Sequence, residues 1–270
     1  VFLFLKQKVN LSQSQNKQLK MKNKIKFIIK FLSTFGLTKG TFLYFKFAFG
    51  NVNNIKVPTL TNSISLRKGT SDVPTFYQVF LDEQYHVLSK YKSAKVVIDA
   101  GANIGLFALK IHSSIPDAVI ICLEPDKSNF DLLTKNIIKY PKIKAINCGL
   151  WNKDTKLRVY DKYDYGNWGF VVEEDLLSGT ISALTIDTIM NQNQLSEIDI
   201  LKIDIETSEK QLFSSNYQEW LPKVKVILIE FHDWLEKGCS KPFFVAINEC
   251  FEEYEFSISG ENIIIENLKY

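Results

Sequence analysis

From residue 96 to the C-terminus, short runs of β-branched residues alternate with stretches whose apolar positions recur every three to four residues. The apolar runs 96–98, 119–123, 143–146, 200–205 and 224–231 read as strands. Between the first two, Ile104, Phe107, Ala108 and Ile111 fall at i, i+3, i+4 and i+7, so one helical face can cover a sheet. Phe130, Leu133 and Ile137 repeat that spacing after the second strand. Strand and helix patterns in this order predict βαβ units around a parallel sheet, an α/β fold.

Two segments break the alternation. Residues 157–185 are rich in Tyr, Trp and Gly and read as an inserted hairpin or loop that shapes a pocket. Residues 254–258 and 263–265, joined by Ser259-Gly260-Glu261-Asn262, predict a β-hairpin that closes one sheet edge antiparallel.

Charge divides the chain. Thirteen Lys and Arg precede Asp72 without a single acid, whereas the net charge of the whole is only +3. We read residues 1–55 as a basic, aromatic-rich N-terminal extension and 56–270 as the main domain, with a pre-domain element at 56–94. Lysines alternate with Ile28, Phe31, Phe35, Phe42, Phe45 and Phe49 in the extension. Such a segment can lie on an anionic membrane surface, touch nucleic acid, or pack as a solvated basic helix. Residues 1–20 precede the first methionine, Met21, and are assigned no function, since a translated-frame artefact explains them equally well.

Lys26, Lys30, Lys39 and Lys46 interrupt every apolar run short of the roughly 18 to 20 residues of a membrane span. The apolar start is also too short for a signal-peptide core. Cys122, Cys148, Cys239 and Cys250 show no paired spacing and fit buried free thiols, so a reducing, cytoplasmic setting, peripheral to the membrane at most, and no structural zinc are expected.

The most informative stretch is Val96-Val97-Ile98-Asp99-Ala100-Gly101-Ala102-Asn103-Ile104-Gly105, a strand running into a small-residue turn that opens a helix. Gly101 and Gly105 lack a Cβ, and Asn103 tolerates left-handed backbone, so a cofactor can approach the chain closely. Glu124 ends the next strand, where a carboxylate can accept hydrogen bonds from both ribose hydroxyls. A nicotinamide enzyme uses the same layout, but its fingerprint needs a small residue where this chain has Leu106. The D-x-G-x-x-x-G turn suits a nucleoside with an amino-acid tail. The bland alternative is a structural β-to-α turn with a solvated Glu124.

These residues resemble the FkbM-type methyltransferase family. The resemblance rests on Leu66-Arg67-Lys68-Gly69-Thr70-Ser71-Asp72, the Asp99 to Gly105 turn, Leu123-Glu124-Pro125, Leu184-Thr185-Ile186-Asp187, Asp199 to Glu206, and Ile229-Glu230-Phe231-His232. It implies an S-adenosylmethionine-dependent O-methyltransferase of sugars or secondary metabolites. It also implies a Rossmann-like class I methyltransferase fold, a mostly parallel seven-stranded sheet with a C-terminal antiparallel hairpin. Asp99, Gly101, Ala102, Asn103 and Gly105 would line the methionine end of the cofactor, Glu124 its ribose, and the Cys148-Gly149-Leu150 turn its adenine. Thr70, Ser71 and Asp72 are read equally as a cap on the site or a structural turn. One departure is Thr207, where the family usually has Gly; Thr207 or Ser208 could then cap the next helix, with Ser208-x-x-Gln211 as a capping box.

Methyl transfer to a hydroxyl needs alignment and removal of one proton. The strands ending in Asp204 and in Glu230 should be neighbours about 4.8 Å apart. His232, with an ordinary pKa of about 6.5, is the expected base, and Glu230 its orienting partner. Glu206 and Trp168 are expected at the acceptor; Trp151, Tyr163 and Tyr165 can stack on a sugar or simply pack. No metal is expected, although Asp204 and Glu206 beyond an apolar strand leave that alternative open. The expected partner is a small-molecule or glycan acceptor. The competing functions are an RNA or DNA methyltransferase guided by the basic N-terminus, disfavoured because the fourth strand lacks an Asn/Asp-Pro-Pro-aromatic turn, and a non-catalytic module that keeps the fold.

Overall fold

The computed structural model describes residues 13–82, 84–161 and 170–270. Element order is α1 (Gln13–Phe35), α2 (Leu37–Ala48), α3 (Asp72–Phe80), β1 (Val96–Ala100), α4 (Leu106–Ser114), β2 (Val119–Leu123), α5 (Lys127–Ile137), β3 (Ile143–Ile146), β4 (Cys148–Leu150), β5 (Thr155–Asp161), β6 (Phe170–Glu174), β7 (Ile181–Leu184), α6 (Ile186–Gln192), β8 (Ile198–Ile203), α7 (Glu209–Leu212), β9 (Val224–Glu230), α8 (Ser240–Cys250), β10 (Tyr254–Ser259) and β11 (Asn262–Asn267).

The main sheet has seven strands in the order β10-β11-β9-β8-β1-β2-β3. The five from β9 to β3 are parallel, and the C-terminal hairpin joins antiparallel through β11 on β9. The period of two along each strand sorts side chains onto two faces. Val97, Ile120, Ile200 and Leu228 pack in one apolar cluster with Leu109, Phe76 and Phe31, whereas Ile98, Ile121, Leu201 and Ile229 pack in the other with Ile189, Phe213 and Phe243. Helices therefore cover both faces, as a parallel sheet requires.

The insert forms a second sheet, β4-β7-β5-β6, in which β5 and β6 make an antiparallel hairpin. Trp151 belongs to its small core with Leu157 and Ala183. Trp168, Tyr163 and Tyr165 lie outside the described residues. The N-terminal helices are not solvated on all sides: Phe31, Phe35, Leu43 and Phe47 are buried in the first cluster, with Phe47 at 4.7 Å from the Phe76 ring of α3. No helix among the described residues is long and apolar enough to cross a membrane.

The chain leaves β1 toward β2 on one side and later returns to place β8 on the other. Strand order thus reverses between β1 and β8, and the crevice outside the C-terminal ends of such a pair is where open α/β sheets bind ligands.

Candidate active site

Every loop that follows a central strand contributes to one cleft at that crevice. Counting its solvent-open mouth, the cleft has roughly 1210 Å³ of empty space, and its lining includes Gly101, Ala102 and Asn103 after β1, Glu124 after β2, Cys148 to Leu150, Lys202 and Asp204 to Glu206 around the end of β8, and Glu230. Ser71, Thr75, Gln78 and Val79 close it from the α3 side. Of the Thr70 to Asp72 turn, Ser71 lines the cleft, while Asp72 is fully buried and gripped by Arg67, whose Nη2 is 2.9 Å from Oδ1 and whose Nε is 3.0 Å from Oδ2.

The turn after β1 has the backbone that its small residues allow. Gly101 sits at φ 77, and a Cβ there would stand 1.8 Å from the carbonyl oxygen of Asp204. Only glycine lets β1 and β8 end this close together. Asn103 takes φ 48 and lines the cleft, with its buried Oδ1 lacking a partner. Two assigned residues fall elsewhere. Gly105 does not line the cleft; it starts α4 at φ 84, and a Cβ there would meet Leu133 of α5 at 2.5 Å, so its smallness serves packing between helices. Asp99 is also absent from the lining, being fully buried under the turn with Oδ1 3.4 Å from Lys202 Nζ.

Glu124 is fastened in place before any ligand arrives. Its Oε2 accepts the Asn103 amide at 2.8 Å and its Oε1 the Asp126 amide at 3.0 Å. Each carboxylate oxygen retains acceptor capacity for a ligand hydroxyl. Burial pushes its pKa up to about 7, against the opposing pull of those two amides.

At the other end of the cleft the side chains turn acidic. His232, 2% exposed, donates from Nδ1 to Glu209 Oε1 at 2.8 Å. Its Nε2 faces Glu206 at 3.2 Å, Asp204 at 3.9 Å and Glu230 at 3.9 Å. Two expectations change here. Glu209, not Glu230, orients the imidazole, and His232 lies behind the carboxylates rather than in the cleft wall. Burial opposes the imidazolium, but Glu209, Glu206 and Asp204 outweigh it and raise the His232 pKa to about 10, so in this arrangement the ring already carries its proton at neutral pH. Burial, with the charge of Asp204, pushes Glu230 up to about 8, and burial likewise raises Glu206.

Two participants escaped the sequence reading. Lys202 lines the cleft, its Nζ 3.4 Å from both Asp99 and Asp204. A lysine on an otherwise apolar inner strand is the signal that points to it, since a buried ammonium needs a counter-ion. Glu209 gave none: it reads as an ordinary acid in a first helical turn. Nor does the predicted capping box form, because Ser208 precedes α7 without a side-chain cap and its Oγ has no partner. The chain instead passes through Glu206 at φ 46 and Thr207 at φ 74, left-handed backbone at two non-glycine residues.

Residues 99–258 match the family profile described as the Methyltransferase FkbM domain, more than half of the chain. The chain belongs to the FkbM methyltransferase family. It is an S-adenosylmethionine-dependent methyltransferase. Among its relatives, Methyltransferase sdnD of Sordaria araneosa is 26% identical over 190 residues, spanning 57% of this chain and 73% of that protein. The 31-O-demethyl-FK506 methyltransferase FkbM of Streptomyces tacrolimicus is 21% identical over 192 residues, 58% of this chain and 74% of that protein. A solved structure of methyltransferase FkbM from Methylobacillus flagellatus KT aligns at TM-score 0.46 and 16% identity, over 65% of this chain and 44% of that one.

The cleft fits the cofactor of the family. A turn of bare backbone, a buried amide oxygen without a partner at Asn103, and a preset carboxylate at Glu124 suit an adenosyl amino acid. The acidic far end suits its sulfonium charge.

Proposed function

We propose that this methyltransferase transfers the methyl group to a hydroxyl oxygen of a small molecule or glycan. The observation that carries the reading is the wall formed by Asp204, Glu206 and Glu230 at the end of the cleft opposite Glu124. The name of the relative that acts on 31-O-demethyl-FK506 also points to a hydroxyl acceptor. In this reading Glu124 receives the ribose hydroxyls, the Gly101-Ala102-Asn103 turn holds the amino-acid tail, and Gly149 borders the adenine. S-adenosylmethionine supplies the activated methyl group, and the residues of the chain do the rest.

Asp204 and Glu206 set the acceptor hydroxyl in line with the sulfonium, which is the chief protein contribution to a direct displacement. Glu230 takes the hydroxyl proton. A carboxylate whose pKa has been raised is a stronger base than an ordinary one, and Glu230 borders the cleft whereas His232 does not. His232, pinned by Glu209, is then a positioning residue that keeps the three carboxylates gathered. Asp99 acts through Lys202 in the same way. The pre-domain element 56–94 caps the cleft in this scheme, supported by the lining residues Ser71, Thr75 and Gln78.

The test is transfer of label from methyl-labelled S-adenosylmethionine to pooled hydroxylated metabolites and oligosaccharides. An alkali-stable methyl ether is expected, lost in Glu230→Gln. Label found on nitrogen or carbon contradicts the reading.

The extension carries a separate, peripheral contact. Phe42, Phe45 and Phe49 form an outward stripe on and just beyond α2, 61%, 47% and 80% exposed, with Lys46 over the Phe42 ring at 5.3 Å. Aromatic residues among lysines, with no acid before Asp72, fit an anionic membrane surface. Co-sedimentation with vesicles containing anionic phospholipid should fall when Phe42 and Phe49 become Ser; undiminished binding sinks this contact.

A further inference from the structure

The acidic end of the cleft holds a mixed set of ligand atoms. Asp204, Glu206 and His232 each offer one atom, a carboxylate oxygen or the imidazole nitrogen, and all three lie within 4.8 Å of one another. The Nε2 to Glu206 separation is already 3.2 Å. Ligand atoms about 2.1 Å from a common ion stand roughly 3 Å apart when adjacent and about 4.2 Å apart when opposite, so small side-chain rotations complete the set.

The outer contacts point the same way. Glu209 is fully buried, has no ligand role of its own, and fixes the ring by accepting at Nδ1. A cation that displaces the Nε2 proton leaves an imidazole donating from Nδ1 to Glu209, with its lone pair on Nε2, the nitrogen turned toward Asp204 and Glu206. Carboxylate–imidazole pairs of this kind orient histidines for metals. The second oxygen of Glu209 is buried without a partner, so this acid is held there at an energetic penalty that a purely structural histidine does not call for. Four carboxyl groups, those of Asp204, Glu206, Glu209 and Glu230, face one imidazole. Lys202 is shared with Asp99 on the far side and offsets only part of that charge.

We propose that Asp204, Glu206 and His232 form a binding site for one divalent cation at the acceptor end of the cleft. Two carboxylates with one imidazole suit Mn²⁺ or Zn²⁺ better than an all-oxygen ion such as Ca²⁺. Its catalytic use rests on the hydroxyl-methylation reading above: the cation binds the acceptor oxygen and makes its proton easier to remove, and the proton passes to Glu230. Binding of the cation does not depend on that reading.

The experiment is titration of the chelator-treated full chain with Mn²⁺, followed by electron paramagnetic resonance of the free ion, with S-adenosylhomocysteine affinity measured on the same samples. One Mn²⁺ per chain is expected, displaced by Zn²⁺ and weakened at least tenfold in Asp204→Asn and in Glu206→Gln. The exposed-turn variant Asp175→Asn serves as the control and should bind normally. Circular dichroism and retained S-adenosylhomocysteine binding in Glu206→Gln exclude unfolding as the cause. No binding at millimolar Mn²⁺, or binding indifferent to both cleft substitutions, overturns the site and leaves His232 as an imidazolium among carboxylates. Mn²⁺ binding without methyl transfer to any hydroxyl supports the site and counts against the function, so the two failures are distinguishable.

Discussion

Glu209 holds His232 from behind: the two meet at 2.8 Å, both buried, at the base of the acidic end of the cleft. Removing the carboxylate leaves a buried imidazolium short of its best partner. Glu209→Ala should destabilise the fold by about 3 kcal/mol, the scale of breaking a buried ion pair. Glu209→Gln should lower the His232 pKa from about 10, read from the imidazole resonances. An unchanged titration means that Glu206 and Asp204, not Glu209, set the ring.

The same group predicts a pH dependence of stability. His232 has a folded pKa above its unfolded value of about 6.5. Its contribution is therefore complete below about 6.5 and is lost as pH rises through about 10. Urea unfolding of the chain without added metal should show stability falling across this window, and His232→Gln should flatten that fall.

Lys202 and Asp99 are an equally buried pair, 3.4 Å apart. Lys202→Met alone strands the Asp99 carboxylate and should cost about 3 to 5 kcal/mol. Adding Asp99→Asn should recover part of the loss, because the stranded charge is gone. Additive losses in the double-mutant cycle contradict the pairing.

Thr207 tests the strained exit from β8. A β-branched residue at φ 74 sits where glycine is at ease. Thr207→Gly should raise stability by roughly 1 kcal/mol in urea denaturation, the strain relief exceeding the added chain entropy of glycine. A net loss would mean that burial of the Thr207 side chain outweighs the backbone strain.

The fold was legible because its signals are local. Residues 119–123 and 143–146 are the strands that their apolar runs predict, and the C-terminal hairpin turns where Gly260 allows it. The turn after β1 was legible for the same reason. What the sequence concealed depends on contacts between distant residues. Gly105 is small for the sake of Leu133, and Asp99 answers Lys202 across 103 positions of chain. Glu209 meets His232 only because the start of α7 comes within 2.8 Å of the segment after β9, a contact across 23 positions of chain, whereas spacing along β9 singled out Glu230. Trp168 lies outside the described residues and stays an expectation.

Cofactor affinity should follow the ionisation of Glu124, whose pKa is raised to about 7. Ribose hydroxyls donate to the carboxylate, so S-adenosylhomocysteine should bind about tenfold more weakly at pH 6 than at pH 8, the effect of roughly one pK unit. Calorimetry at both values checks this, and Glu124→Gln should abolish the difference.

The central claim is that the cofactor lies at the crevice between β1 and β8, and a crystal structure with S-adenosylhomocysteine bound tests it most directly. The account predicts both ribose hydroxyls on Glu124, the amino-acid tail along Gly101 to Asn103, and the sulfur facing Asp204 and Glu230. A ligand bound at another strand pair, or one in this cleft with its ribose away from Glu124, contradicts it.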